Sequence, residues 1–186
     1  MNANIIIAPI LIHLITAVVS LFLWGKILPQ KILSLIGSIL VLIFSIIIFY
    51  LNQEWGSIVL FAGNWRPPYG ITFVTDTLST VMLLLTSIVG LAISIYSNAA
   101  VSHSRIKFGY FPIFHFLLMG LSGTFLTGDI FNMYVWFEIV IISSFVLLTL
   151  GGKRMQMEGA VKYMAMNMLA SIIFLNIDFF APLAWC

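Results

Sequence analysis

Glu138 is the one charged side chain inside IFNMYVWFEIVIISSFVLLT, a run of apolar and aromatic residues long enough to cross a bilayer. Counted from Asp129 it lies nine residues in, about 13 Å along a helix. A short glutamate cannot reach water from that depth, so it must face protein, a partner cation or a hydrated cavity. Two readings are open. One is a structural carboxylate, protonated or paired, that joins helices by a hydrogen bond. The other is a proton-exchanging site, in which desolvation favours the protonated form and a nearby lysine favours the charged one. Ser143 and Ser144, just beyond, can hydrogen-bond across helices or hold water, or simply permit close packing.

Secondary candidates surround this residue. Glu158 and Lys162 in EGAVK are spaced four apart in the favourable order for a helical ion pair. They form either a solvated surface pair or, for Lys162 about 12 Å beyond Arg154, the entry to an internal water chain continued by Asn167 and Ser171. His115 follows Pro112 by three residues, beyond an expected kink; a neutral imidazole bonded to a neighbouring helix is favoured over a proton relay. His13 has no ionisable neighbour in sequence and is given no role. Asp76 and Asp129 each open an apolar run, where a carboxylate caps free amides; Asp129 remains a weaker site candidate. Gly120, Thr124 and Gly128 make a small-residue face suited to helix packing.

The elements that must carry these side chains are membrane helices. Of 186 residues 62% are hydrophobic and 8% charged, with a mean hydropathy of +1.15, which places the chain outside the soluble globular class. The expected fold is an all-α integral membrane protein, because unpaired backbone is too costly in lipid for open sheets. Six spans are predicted at about 4–24, 32–51, 77–97, 109–127, 130–150 and 157–177. Gly25 and Pro29 are expected to close the first, Asn52 and Gln53 the second. Trp24, Trp55, Trp65 and Tyr69 fall near span ends, at headgroup level.

Residues 1–107 thus hold three spans with a connection at 52–76, residues 108–178 the next three, and residues 179–186 an atypical end. Lys26, Lys31, Arg105, Lys107, Lys153 and Arg154 follow the odd-numbered spans, whereas Arg66 stands alone in the 52–76 connection and Lys162 lies in the sixth span. Positive residues mark the cytoplasmic side, so the N-terminus is predicted outside and the 52–76 connection external. Within that connection SIVLF and ITFVT flank a Pro-Pro and Gly turn region, the pattern of a small hairpin.

Composition also excludes. A net charge of +2 without a basic block gives no support for nucleic-acid binding. The single Cys186 allows no intramolecular disulfide, and no His/Cys ligand set occurs. Nucleotide loops are likewise missing, so no cofactor is expected, and no nucleophile–base set supports an enzyme.

The stretch SGTFLTGDIFNMYVWFEIVIISSFVLLTLGGKR, followed by MEGAVKYMAMNMLAS, resembles the proton-conducting antiporter-like family, and within it the D-type subunits of the multisubunit Mrp Na+/H+ antiporters. NWRPPYGITFVTDTLS adds a second match, so the resemblance runs over residues 55–174. It implies the first part of a fold of about fourteen helices containing inverted repeats, with both termini outside and a charged, hydrated mid-membrane axis. By position, Glu138 corresponds to the helix-five glutamate that moves protons or cations, and Lys162 to the lysine that opens helix six. The implied partners are sister antiporter subunits, lipid, protons and Na+ or another monovalent cation. The implied location is a prokaryotic plasma membrane. The family also includes antiporter-like subunits of NADH:quinone oxidoreductase (complex I) and hydrogenase assemblies, which carry no redox centre themselves; such an assembly is the first alternative, and a non-transporting scaffold or remnant the second. Family members continue past a further broken helix that supplies a lysine partner for the glutamate, whereas LNIDFFAPLAWC departs from the pattern, so the chain is expected to be an N-terminal fragment.

Overall fold

A computed structural model describes residues 3–65, 70–152 and 154–180. Arg66, Tyr69, Lys153 and the tail ending in Cys186 lie outside the described residues. A 3₁₀ turn, Ala3–Ile7, leads into α1 (Ala8–Phe22), followed by α2 (Ile27–Trp55), β1 (Ile58–Phe61), β2 (Thr72–Thr75), α3 (Thr77–Ala100), the short α4 (His103–Lys107), α5 (Tyr110–Leu126), α6 (Ile130–Thr149) and α7 (Arg154–Phe180). The six expected spans are all helices. Among the described residues four stretches are long and apolar enough to cross a membrane, Asn4–Phe22, α2, α3 and α6. Helix α5 is apolar but has 17 residues, and the 27-residue α7 is less apolar than the rest.

Helices α1, α2, α3 and α5 pack as one bundle; α6 lies against α5, and α7 against α6. Their buried faces are small and polar: Ser34, Gly37, Ser38 and Ser45 on α2, and Ser87, Gly90, Ser94 and Ser97 on α3. In lipid the apolar side chains gain nothing by turning inward, so close backbone approach and hydroxyl bonding decide which face meets protein. Gly37 lets Thr16 of α1 approach so closely that an added Cβ would lie 2.8 Å from its Cγ2.

Two prolines act differently from the sequence expectation. Pro29 does not close α1; Gly25, at φ +84°, makes that turn, and Pro29 falls in the first turn of α2. Pro112 likewise lies in the first turn of α5, which starts at Tyr110, so no kink precedes His115. In both places the missing amide had no intrahelical acceptor to lose. Helix α2 also runs on through Asn52 and Gln53 to Trp55, and Gly56, at φ +73°, ends it.

The expected hairpin forms, antiparallel, with Ile58 opposite Thr75 and Phe61 opposite Thr72. It is tied at several points. Asn52 donates to the Gly56 and Thr75 carbonyls, both at 3.1 Å. Gly128 N donates to Thr72 O at 2.8 Å, and Phe73 enters a core with Ile6, Ile10, Ile48, Leu83, Met119 and Leu126.

Asp76 and Asp129 are N-caps, as expected. Ser79 N donates to Asp76 Oδ1 at 2.7 Å while Asp76 N donates to Ser79 Oγ at 2.8 Å, a reciprocal capping box. The Ser79 amide holds the Asp76 carboxyl below its usual range. A depressed folded-state pKa means that this stabilisation is complete above the unfolded value and is lost as pH falls through the folded one, below about pH 4. Asp76→Ala should therefore cost about 1 kcal/mol at neutral pH, and the difference from wild type should narrow in strong acid, where the neutral carboxyl keeps only its carbonyl acceptor. Thermal unfolding in detergent at several pH values checks it.

Candidate functional site

Helix α6 carries Glu138 eight residues past its first residue, Ile130, and eleven before its last, Thr149, close to mid-helix. Its depth is fixed by the Asp129 cap, whose Oδ1 accepts from Asn132 N at 2.6 Å and whose Oδ2 accepts from Thr72 N at 3.2 Å. The second bond ties the start of α6 to the hairpin, so Asp129 positions the helix.

Rotation is fixed by α5. Gly120 faces Ile139 and Val140, and Gly123 faces the Trp136 ring. The small-residue face read from the sequence thus works here through Gly120, with Gly123 as a partner that the spacing of four did not include. Gly128 packs on Thr72 and Val74 of the hairpin instead.

With Trp136 turned toward α5, Glu138 stands half-buried. One turn earlier, Tyr134 interacts with its carboxylate and stacks on Phe174 of α7, with ring centroids 6.3 Å apart. A cleft of about 190 Å³ opens between the two helices, lined by Tyr134, Phe137, Asn167, Ser171 and Phe174 among others. Asn167 and Ser171, expected as a polar stripe, are therefore on the face turned to α6. Nearer the other end, Ser144 Oγ and Tyr163 Oη lie 3.0 Å apart, a hydrogen bond across the helix pair.

These contacts set the register of α6 on α7. Ser144 is level with Tyr163 and Tyr134 with Phe174, which puts Glu138 opposite about Ala170. Lys162 is then displaced from Glu138 by about 12 Å along the helix axis. The structure does not bring the two together, and among the described residues no cation pairs with Glu138. Lys162 is exposed. Nor does Lys162 pair with Glu158, which instead bonds Arg154 one turn earlier, Nε to Oε1 at 3.3 Å. Arg154 and Glu158 are 93% and 62% exposed, so this is the solvated surface contact, of little energetic weight.

His115 is fully buried and bonded to neighbouring helices, as favoured from sequence. Its Nε2 lies 2.9 Å from Ser34 Oγ on α2, and its Nδ1 lies 3.1 Å from Nδ1 of His13 on α1. His13, given no role from the sequence, thus has a bonding partner on another helix. The two are 102 positions apart, so local spacing could not pair them. The available signal was the run of serines at helical spacing on α2 and α3, which marks an inward polar face.

No family model matches the chain. It is 37% identical over 171 residues to the D subunit of the Na(+)/H(+) antiporter of Bacillus subtilis, covering 92% of this chain and 35% of that protein. The chain thus spans about a third of the length of the curated relatives it matches. Among solved structures, that of an Mrp complex from Dietzia sp. superposes with a TM-score of 0.86 at 24% identity, over 95% of this chain and 34% of the other. That of the membrane-bound sulfane sulfur reductase, an archaeal respiratory membrane complex, superposes with a TM-score of 0.82 at 29% identity, over 94% of this chain and 35% of the other.

Proposed function

We propose that this chain, related to the D subunits of Na(+)/H(+) antiporters over nearly its whole length, forms part of a membrane subunit that exchanges Na+ or another monovalent cation for protons. Its partners are then sister antiporter subunits, its setting a prokaryotic plasma membrane, and Glu138 the residue that takes up and releases the proton. The observation that carries this reading is the place of Glu138: mid-helix, half-buried, and one turn from Tyr134, which lines the cleft between α6 and α7 together with Asn167 and Ser171. A carboxylate at that depth persists only with a role or a partner, and no cation pairs with it among the described residues. Lys162 is the second proton carrier in this reading, acting from about 12 Å away through intervening polar groups and water rather than by direct contact.

The test is antiport by the complete subunit, assembled with its sisters in acid-loaded vesicles. Added Na+ or K+ should discharge the pH gradient without any electron donor. An intact assembly that leaves the gradient unchanged would overturn the reading. The likeness to a respiratory membrane complex favours one second reading, a subunit whose proton movement is driven by redox chemistry elsewhere in its assembly. Proton movement that appears only when an electron donor and acceptor are supplied would select it.

A further inference from the structure

The bundle of α1, α2, α3 and α5 contains a polar file that does not involve Glu138. Ser94 Oγ lies 3.1 Å from Ser34 Oγ, Ser34 Oγ lies 2.9 Å from His115 Nε2, and His115 Nδ1 lies 3.1 Å from His13 Nδ1. All four residues are at most 2% exposed, and each comes from a different helix. Toward the end of the bundle that carries Lys26, Lys31 and Arg105, Ser97 lies one turn from Ser94 and bonds Tyr110 Oη at 2.7 Å. At the far end His13 lines a narrow gap with Ser38, whose buried hydroxyl has no partner among the described residues.

We propose that Ser94, Ser34, His115 and His13 form a proton relay through this bundle, separate from the site on α6. Two facing Nδ1 atoms can bond only if one carries hydrogen and the other does not. That single condition leaves the whole file two polarities. In the first, Ser94 donates to Ser34, Ser34 donates to His115 Nε2, and His115 Nδ1–H donates to His13 Nδ1, with the His13 hydrogen on Nε2. In the second, every bond is reversed: His13 Nδ1–H donates to His115, His115 Nε2–H donates to Ser34, and Ser34 donates to Ser94.

One proton converts the first into the second. It binds Ser94 Oγ, and the Ser94 hydrogen passes to Ser34. The Ser34 hydrogen passes to His115 Nε2, the His115 Nδ1 hydrogen passes to His13 Nδ1, and the hydrogen on His13 Nε2 leaves. One O–H forms at the entry, one N–H breaks at the exit, and the net charge of the file is unchanged. Ser38 is the unpartnered hydroxyl in the gap that His13 lines and so the next acceptor. Every member of the file is neutral, which lets it sit in a low-dielectric bundle without the desolvation cost of a fixed charge. The ligand of the site is therefore the proton itself. Among the described residues no charged side chain is bonded to any of the four.

The test is nitrogen NMR of ring-labelled histidines in the whole chain in nanodiscs. The sequence has three histidines, and the exposed His103 is the internal control. The expected result is a hydrogen-bond coupling between Nδ1 of His13 and Nδ1 of His115, with both nitrogens of each ring showing partial, averaged proton occupancy. Ser34→Ala removes the acceptor for His115 Nε2–H and should lock the pair in the first polarity, with His115 protonated on Nδ1 and His13 on Nε2. Ser94→Ala should bias it the same way while leaving both His115 contacts in place, and it serves if Ser34→Ala does not fold. A single fixed tautomer on each ring of the wild-type chain, or absence of the coupling, overturns the relay. So does a pattern unchanged in both serine variants, because a merely structural pair would not respond to them.

Discussion

Replacing Glu138 by Gln in the complete, assembled subunit is expected to reduce cation-driven proton exchange to the level of vesicles without protein. Glutamine has the size of glutamate and keeps a carbonyl oxygen for Tyr134, but it cannot carry a charge or exchange a proton between pH 4 and 10. The side chain is half-buried and the exchange conserves its size, so packing should be almost untouched, and helicity and yield should match wild type. Glu54→Gln, at the exposed end of α2, is the control for loss of a carboxylate as such and should exchange at the wild-type rate. Antiport by the Glu138 variant at that same rate would remove the carboxylate from the mechanism and leave it a structural role.

Gly123→Val is expected to be the most destabilising single change in the α5–α6 contact, at about 3 kcal/mol, the upper part of the range for overpacking. A Cβ at this position would enter the Trp136 ring, and that ring is itself wedged, its Nε1 buried without a partner among the described residues. Neither helix can slide, because Gly120 lies against Ile139 and Val140 one turn away and Asp129 ties the start of α6 to the hairpin. Pairing the change with Trp136→Ala opens the space, so the double variant should be more stable than the sum of the two singles by about 1–3 kcal/mol. Unfolding of the four proteins in detergent measures the coupling. A Gly123→Val protein within about 0.5 kcal/mol of wild type would mean that α6 is not seated by this contact.

What was legible from the sequence follows from how local each signal is. Apolar length gave the helices, and Asp76 and Asp129 gave their starts, because a cap bonds amides three residues away. The hairpin was legible for the same reason: SIVLF and ITFVT are short β-rich runs on either side of a Pro-Pro and Gly turn region. Pro29 and Pro112 misled because a proline in the first turn and a proline that breaks a helix look alike until the start of the helix is known. Glu158 had basic residues at equal distance on both sides, and spacing cannot choose between Arg154 and Lys162. The His13–His115 contact needs the packing of α1 on α5, which no local pattern encodes. Glu138 was legible as a residue, by depth alone; its neighbours Tyr134, Phe174 and Asn167 depend on the register of α7.

Helix α5 is the shortest of the helices apart from α1 and α4, 17 residues against 29 in α2, or about 25 Å against about 43 Å. Ten of its residues are buried, Phe111 to Leu126, among α1, α2, α3 and α6. A helix enclosed in this way hardly meets acyl chains, so bilayer thickness exerts little selection on its length. Thinning or thickening of the membrane acts on α2 and α3 at the perimeter, through their tilt, while the axis that holds both His115 and the seat of α6 is mechanically decoupled from the lipid.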